Sequence, residues 1–468
     1  VGCINQQQQR NKGKVMGLVL ILLVVVGFIV LATSKWKMHP FLALLGASFI
    51  AAFAYRLPID SVVDTITSGF GGILGYIGLV IVLGTIIGVI LEKSGAAITM
   101  ADFMIARLGE RFPTLTMSAI GYIVSVPVFC DSGFIILNSL KESLAKKLHT
   151  SSITMSVALA TGLYATHTFV PPTPGPIAAA GNLGLESNLG LVIAAGIPIA
   201  AVAAVAGMLW AKRFANTEPD VQDTQPDAAD QQQDWEALRA SYGRLPSPMA
   251  AFAPIVMPIL LICIGTVARL PASPFGEGTA MAVLSLLGQP LTALLIGLLL
   301  SCVLLKSDNK IVEFSDRISE GIVSAAPILL ITGAGGAFGA VLSASPLGDY
   351  LGSTLSTLGI GILMPFIVSA GLKSAQGSST VALVTTSALV APMVDSLGLG
   401  SDIGRTLTVM AIGAGAMTVS HANDSFFWVV SRFSRMSVGL AYRAQTLATL
   451  VQGVTAMCLI YVLSLVLL

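Results

Sequence analysis

Long apolar runs alternate with short polar breaks along this chain. Runs at 16–32, 73–91, 189–210, 282–305 and 447–468 reach or approach the ~20 apolar residues that cross a bilayer. Read end to end, the pattern predicts five full crossings in each half of the chain. The first five are 16–34, 39–57, 73–91, 151–181 and 189–210; the second five are 249–269, 282–305, 321–342, 404–427 and 439–468. Polar or proline-rich residues interrupt 151–181 and 404–427, which are therefore expected to be broken helices. Between the third and fourth crossing of each half lie two shorter apolar arms, 114–128 with 134–148 and 359–371 with 381–394. Each arm is short for a crossing, so each pair predicts a re-entrant hairpin. The fold class expected is an all-α polytopic membrane protein.

The two halves resemble each other at an offset of about 250 residues. A Gly-rich apolar helix, an amphipathic stretch (through Arg111, or 349–358), a proline (Pro113 or Pro365) and a short apolar arm follow in the same order. Internal repeats of this kind are typical of secondary transporters, and an odd number of crossings per half inverts the second relative to the first. The domains expected are a polar tail (1–15), a first membrane repeat (16–211), a polar cytoplasmic linker (212–248) and a second membrane repeat (249–468). The tail and the first run lack a clear small-residue cleavage site and are not read as a signal peptide.

Composition agrees with lipid as the main solvent. Of 468 residues, 54% are hydrophobic and 10% charged, against about 25% charged in a soluble domain. A net charge of +1 and the lack of a basic block interleaved with aromatics exclude nucleic acid as a partner. The five cysteines form no CxxC pair, so neither a disulfide framework nor a zinc site is expected; most are read as small buried hydrophobes. With the linker cytoplasmic and the first helix's start outside, Lys35, Lys37, Lys93, Arg107, Arg111, Lys141, Lys146, Lys147, Lys212, Arg213, Arg239, Arg244, Lys306, Lys310, Arg317, Arg432, Arg435 and Arg443 all fall inside. Outside the tail, the basic residues expected outside are Arg56, Arg269 and Arg405. The positive-inside rule favours this orientation in the cell's inner membrane.

Polar backbone and charge at membrane depth are tolerated only around a cavity or inside protein. Four segments stand out. At the first hairpin tip, Asp131 and Ser132 sit between two apolar arms; Asp131 serves the site, caps the next arm, or does both. In the first broken helix, His167 precedes Pro171, Pro172, Thr173, Pro174 and Pro176, which cannot continue a helix. The second hairpin tip holds Lys373, Gln376, Gly377, Ser378, Ser379 and Thr380: a cation, a turn glycine and hydroxyls at a helix start, where N–H groups favour an anion. In the second broken helix, Ser420, His421, Asn423, Asp424 and Ser425 crowd together inside an apolar context. Inverted repeats bring all four to one midplane site suited to a carboxylate and a polyol tail. Asp131, Asp424, His167 and His421 are the titratable candidates for proton coupling, His being nearest to physiological pH.

These segments resemble the signatures of the gluconate permease (GntP) family of the ion transporter superfamily. The resemblance rests on the stretches 129–134, 171–176, 375–380 and 420–425, in that order, and spans nearly all of 16–468. It implies proton-coupled uptake of gluconate or related acids, including glycerate and, in some members, D-serine, by a homodimer with an elevator-like motion. Many members have His where this chain has Thr173, and Arg where it has Lys373; a bulkier apolar setting usually surrounds Asp131. Arg clamps a carboxylate with two parallel bonds and Lys does not, so glycerate stands beside gluconate as an expected substrate. Sodium coupling, with unwound carbonyls and hydroxyls as ligands, is the alternative. No GxSxG or HExxH motif supports an enzyme, and no cofactor or metal is expected.

Overall fold

The computed structural model describes residues 17–18, 20–33, 35–108, 111–220, 235–268, 278–345 and 361–468. The polar tail, most of the linker, Arg269 and the second amphipathic stretch at 349–358 lie outside the described residues. The helices are α1 (Leu20–Thr33), α2 (Pro40–Ala54), α3 (Ile59–Ser94), α4 (Ala96–Leu108), α5 (Pro113–Val124), α6 (Cys130–Lys147), α7 (Ser152–Phe169), α8 (Pro174–Asn182) and α9 (Leu189–Ala211). After the short α10 (Trp235–Ser241) follow α11 (Pro248–Ala268), α12 (Thr279–Leu287), α13 (Pro290–Ser301), α14 (Lys310–Ser343), α15 (Leu363–Gln376), α16 (Ser379–Val390), α17 (Asp402–Met417), α18 (Ser425–Phe433) and α19 (Val438–Leu467). Helix starts recur in order about 250 positions apart: 40 with 290, 59 with 310, 113 with 363, 130 with 379, 152 with 402, 174 with 425 and 189 with 438.

Two expected spans take a different form. The run 73–91 is part of α3, which has 36 residues because nothing breaks it between Pro58 and Gly95. At 1.5 Å per residue α3 is about 54 Å long, well beyond a bilayer's hydrocarbon core. The run 282–305 is not one straight span: it bends by 66° between Met281–Leu287 and Pro290–Leu304. Gln289 is extended there and Pro290 opens the next helix without an N–H to donate. The cysteine reading also needs correction. Cys130 is buried, Cys263 and Cys302 are half-buried, and Cys458 is exposed, as apolar side chains facing lipid can be at no cost.

Helices α3 and α14 pack along much of their length. Glycines set their crossing, because a Cβ on Gly69 would meet the Gly336 carbonyl oxygen at 2.7 Å, and one on Gly336 would meet the Gly69 carbonyl oxygen at 2.6 Å. Small residues let backbones approach where lipid supplies no hydrophobic drive. Helix α2 also packs on α14, and α13 on both α3 and α11. The other group holds the hairpins and broken helices, with α7 packed against α5, α9 and α17. Every residue of α7 from Ile153 to Phe169 is buried, the mark of a helix surrounded by protein on all sides.

Candidate functional site

Both hairpins and both broken helices form. The arms α5 and α6 meet through the turn 125–129. The arms α15 and α16 meet at Gly377 and Ser378, where Gly377 adopts φ +85° and Ser378 caps α16 by accepting from the Val381 N–H at 3.3 Å. Helix α7 stops at Val170, and α8 resumes at Pro174. Helix α17 stops before Thr418, and α18 resumes after Asp424, its N-cap. After its first turn, α19 passes through a π-helical segment at Tyr442–Thr446. Next to it, Thr446 donates to the Ser420 carbonyl (2.6 Å) and Thr449 accepts from the Ser420 N–H (3.0 Å). The unwound backbone of the second broken helix is thus held by a neighbour, as membrane depth requires.

The centre of the site is a buried ion pair. Lys373 Nζ lies 2.6 Å from Asp424 Oδ2 and 2.5 Å from the Gly377 carbonyl oxygen. The same Oδ2 accepts from the Ser420 hydroxyl at 2.5 Å, and Oδ1 accepts from the Phe426 N–H at 3.1 Å. Lys373 is fully buried, which rules out a head that snorkels to the interface. Its ammonium also sits 5.9 Å from the centre of the Tyr164 ring. Around the pair, His421 Nε2–H and Asn423 Nδ2 both donate to the Ser374 carbonyl at 2.8 Å. A Cβ on Gly377 would lie 2.1 Å from the Asn423 carbonyl oxygen, so only glycine lets the second hairpin tip seat on the second broken helix.

The first half reaches the same place. Asp131 of α6 lies against Ser425, and its carboxylate feels the charges of both Asp424 and Lys373. It does not cap α6: the N-cap is Phe129, without a side-chain cap bond. Buried His167 lies between Tyr164, stacked at 6.5 Å, and Phe129 at 6.0 Å. Ser379 lies beside Tyr164, whose hydroxyl donates to the Ala416 carbonyl at 3.4 Å. Thr380 faces Gly175 at the start of α8. Two predicted residues turn elsewhere. The Thr173 hydroxyl donates to the Val170 carbonyl of its own loop (2.6 Å), and Ser132 faces Glu92 of α3.

Several polar atoms at this site are buried without a hydrogen-bond partner: Asp131 Oδ1, His167 Nδ1, Asn423 Oδ1 and both Oε1 and Nε2 of Gln376. Orphaned buried polar atoms are costly, and such a ring of donors and acceptors beside an ion pair is what a polar ligand would satisfy. The site has an open side: Asp131 and Ser132 are half-buried and Ser425 is exposed. Among the described residues no group of three or more His, Cys, Asp or Glu is placed to hold a metal.

Residue patterns alone missed Tyr164 and Glu92. Tyr164 stands one turn before His167 and so shares its face; Glu92 is the one carboxylate toward the end of a long apolar run.

Among the described residues, five unbroken apolar helices of membrane length, two hairpins and two broken helices surround a buried polar centre, the architecture of a membrane transporter. A family profile described as GntP family permease matches residues 16–466, and the chain belongs to that family. An uncharacterized permease of Haemophilus influenzae is 37% identical over 426 residues, covering 89% of this chain and 85% of that one. A gluconate permease of Pseudomonas aeruginosa is 32% identical, covering 95% and 97%. A D-serine transporter of Escherichia coli is 33% identical, also covering 95% and 97%. In fold, the chain is similar to the YdaH transporter of Alcanivorax borkumensis, with a TM-score of 0.65 at 15% identity, covering 91% and 98%. The protein is a multi-pass membrane permease.

Proposed function

We propose that this permease imports a small hydroxy-carboxylate, gluconate or a shorter acid such as glycerate, together with a proton. One observation carries the reading: the cation at the site's centre, Lys373, is already neutralised by Asp424 at 2.6 Å in a buried setting. A substrate carboxylate arriving alone would place two anions on one buried cation, and uncompensated buried charge is costly. Protonation of Asp424 removes that conflict. Lys373 then exchanges the Asp424 carboxyl for the substrate carboxylate, and the site takes up one proton with one anion at constant charge.

The rest of the site fits a polyol tail. Gln376, Asn423, Asp131 and His167 offer unpartnered donors and acceptors, and Ser379, Thr380, Ser425 and His421 stand beside them. Ser378 and Gly377 shape the hairpin tip. Thr173 and Ser132 act at the margin, through the loop before α8 and the contact to α3. The names of the relatives, a gluconate permease and a D-serine transporter, support a small hydroxylated acid. In this reading the halves 16–211 and 249–468 are inverted repeats joined by a cytoplasmic linker. The hairpins and broken helices move as a body past α3 and α14 in an elevator-like stroke, and the protein works as a homodimer.

The test is uptake of radiolabelled gluconate into proteoliposomes under an imposed inward proton gradient, with unlabelled glycerate, D-serine and citrate as competitors. Gradient-driven accumulation abolished by a protonophore supports the reading, and the best competitor names the substrate. Accumulation that follows a sodium gradient at fixed pH, and ignores the proton gradient, overturns it.

A further inference from the structure

Glu92 has no part in the ion pair, yet it lies on the face of α3 that docks on the first half's discontinuities. Gly84, Gly88 and Glu92 follow one another at four-residue steps along one side of that helix. A Cβ on Gly84 would lie 3.0 Å from the carbonyl oxygen of Pro172 in the first broken helix. One on Gly88 would lie 2.6 Å from the carbonyl oxygen of Pro127 at the first hairpin tip. One turn on, the Glu92 carboxylate lies beside the Ser132 hydroxyl of that same tip. Glu92 is half-buried. Lys93 of its own helix, Glu320 of α14 and Tyr242 ahead of α11 are the other charged or titratable groups facing it.

The carboxylates form a stepped series. Asp424 is followed in sequence by Ser425, which touches Asp131; Asp131 is followed by Ser132, which touches Glu92; Glu92 faces Glu320. Glu320 is exposed and paired with Arg317 at 2.8 Å. The end of the molecule that the series approaches carries Lys93, Lys146, Lys147, Arg432 and Arg435, the basic side that faces the cytoplasm.

We infer that Glu92 is the relay carboxylate through which the coupling proton leaves the substrate site for the cytoplasm. The proton first passes from the Asp424 carboxyl to the Asp131 carboxylate across the Ser425 hydroxyl or a water; the Asp131 O–H bond then breaks and the Glu92 carboxylate accepts the proton across the Ser132 hydroxyl or a water. Glu92 then releases it to cytoplasmic water beside Glu320. Because the relay serves a proton and not the anion, Glu92 is dispensable for moving substrate with its proton already bound. The inference rests on the proton-coupled reading above.

The test compares wild type, Glu92→Gln and Glu92→Asp in proteoliposomes with gluconate as the transported probe. Two assays are run: uptake driven by a pH gradient, and exchange of labelled for unlabelled substrate at equal pH. The expected result is that Glu92→Gln keeps exchange within about twofold of wild type and loses gradient-driven accumulation at least tenfold, while Glu92→Asp restores part of it with an altered pH profile. Gradient-driven accumulation by Glu92→Gln with the wild-type pH profile overturns the relay and leaves proton coupling intact. Loss of exchange together with accumulation in both variants also overturns it, since the residue would then be structural. Wild-type uptake that ignores the proton gradient would instead remove the reading on which the relay rests.

Discussion

The Lys373–Asp424 pair makes the sharpest test of the site. Both side chains are almost wholly withdrawn from solvent, and the contact is 2.6 Å. At an effective dielectric constant of 20 the Coulomb attraction at that distance is about 6 kcal/mol, an upper figure before desolvation is subtracted. Breaking a buried pair by removing one partner costs about 3–5 kcal/mol, because the other charge is stranded. The two single variants strand different groups. Lys373→Met leaves Asp424 with its Ser420 and Phe426 donors, which still serve the carboxylate, so the loss falls near 3 kcal/mol. Asp424→Asn leaves an ammonium with the Gly377 carbonyl and the Tyr164 ring, a poorer shell and a larger loss. The double variant strands nothing, so its stability should exceed the additive expectation by about 2–3 kcal/mol. The assay is equilibrium unfolding in mixed micelles of rising SDS fraction, with proton-driven uptake measured on the same preparations. All three variants should fail to accumulate substrate, although the double variant stays folded. Additivity within about 0.5 kcal/mol, or wild-type accumulation by Lys373→Met, would refute the argument that this pair is both a structural bond and the coupling element.

Gly336→Val should prevent insertion of folded protein, because its side chain would enter the Gly69 backbone; a monodisperse, transport-active variant would show that the α3–α14 crossing can shift. Fully buried Lys141 pairs with Glu142 at 2.7 Å and with Ser156 at 3.1 Å, while Glu142 also holds Ser152 at 2.7 Å and Arg435 at 3.7 Å. Glu142→Gln should therefore destabilise more than Lys141→Met in detergent melting, by about 1 kcal/mol or more, and the reverse order would contradict the geometry. Near the linker, burial alone would raise the Asp220 carboxyl, but hydrogen bonds from the Ser437 N–H and hydroxyl hold it below the usual carboxylate range. A depressed carboxylate contributes its tie at neutral pH and loses it as pH falls through its folded value. Protection of the Ser437 amide from hydrogen exchange, corrected for the intrinsic rate, should thus drop in acid for wild type and be low at both pH values for Asp220→Ala. A Gly/Ser replacement of the linker should accordingly begin after Asp220 to leave transport intact.

Much of the fold and site was legible in the residues. Apolar length, the proline cluster at 171–176 and the polar cluster at 420–425 mark the broken helices, because lipid permits unpaired backbone only where protein surrounds it. The short arms flanking Asp131 and Gly377 mark the hairpins for the same reason. Sequence spacing did not reveal that 282–305 bends by 66°, since a bend depends on what packs against Gly288 and Pro290. Nor did it reveal the true length of α3, whose first turns carry Asp60, Ser61, Asp64 and Thr65 and resemble a loop by hydropathy.

Identity and order of the chemical groups are thus properties of the sequence, as is the need to bury them. Pairing is not. That Lys373 meets Asp424, 51 positions away, that Ser132 turns to Glu92 rather than to the site, and that Gln376 is left without a partner depend on how the hairpins seat on the broken helices. Those contacts join segments distant in the chain, and only close packing of the whole, through glycines that leave no room for a side chain, decides which side chains share a site.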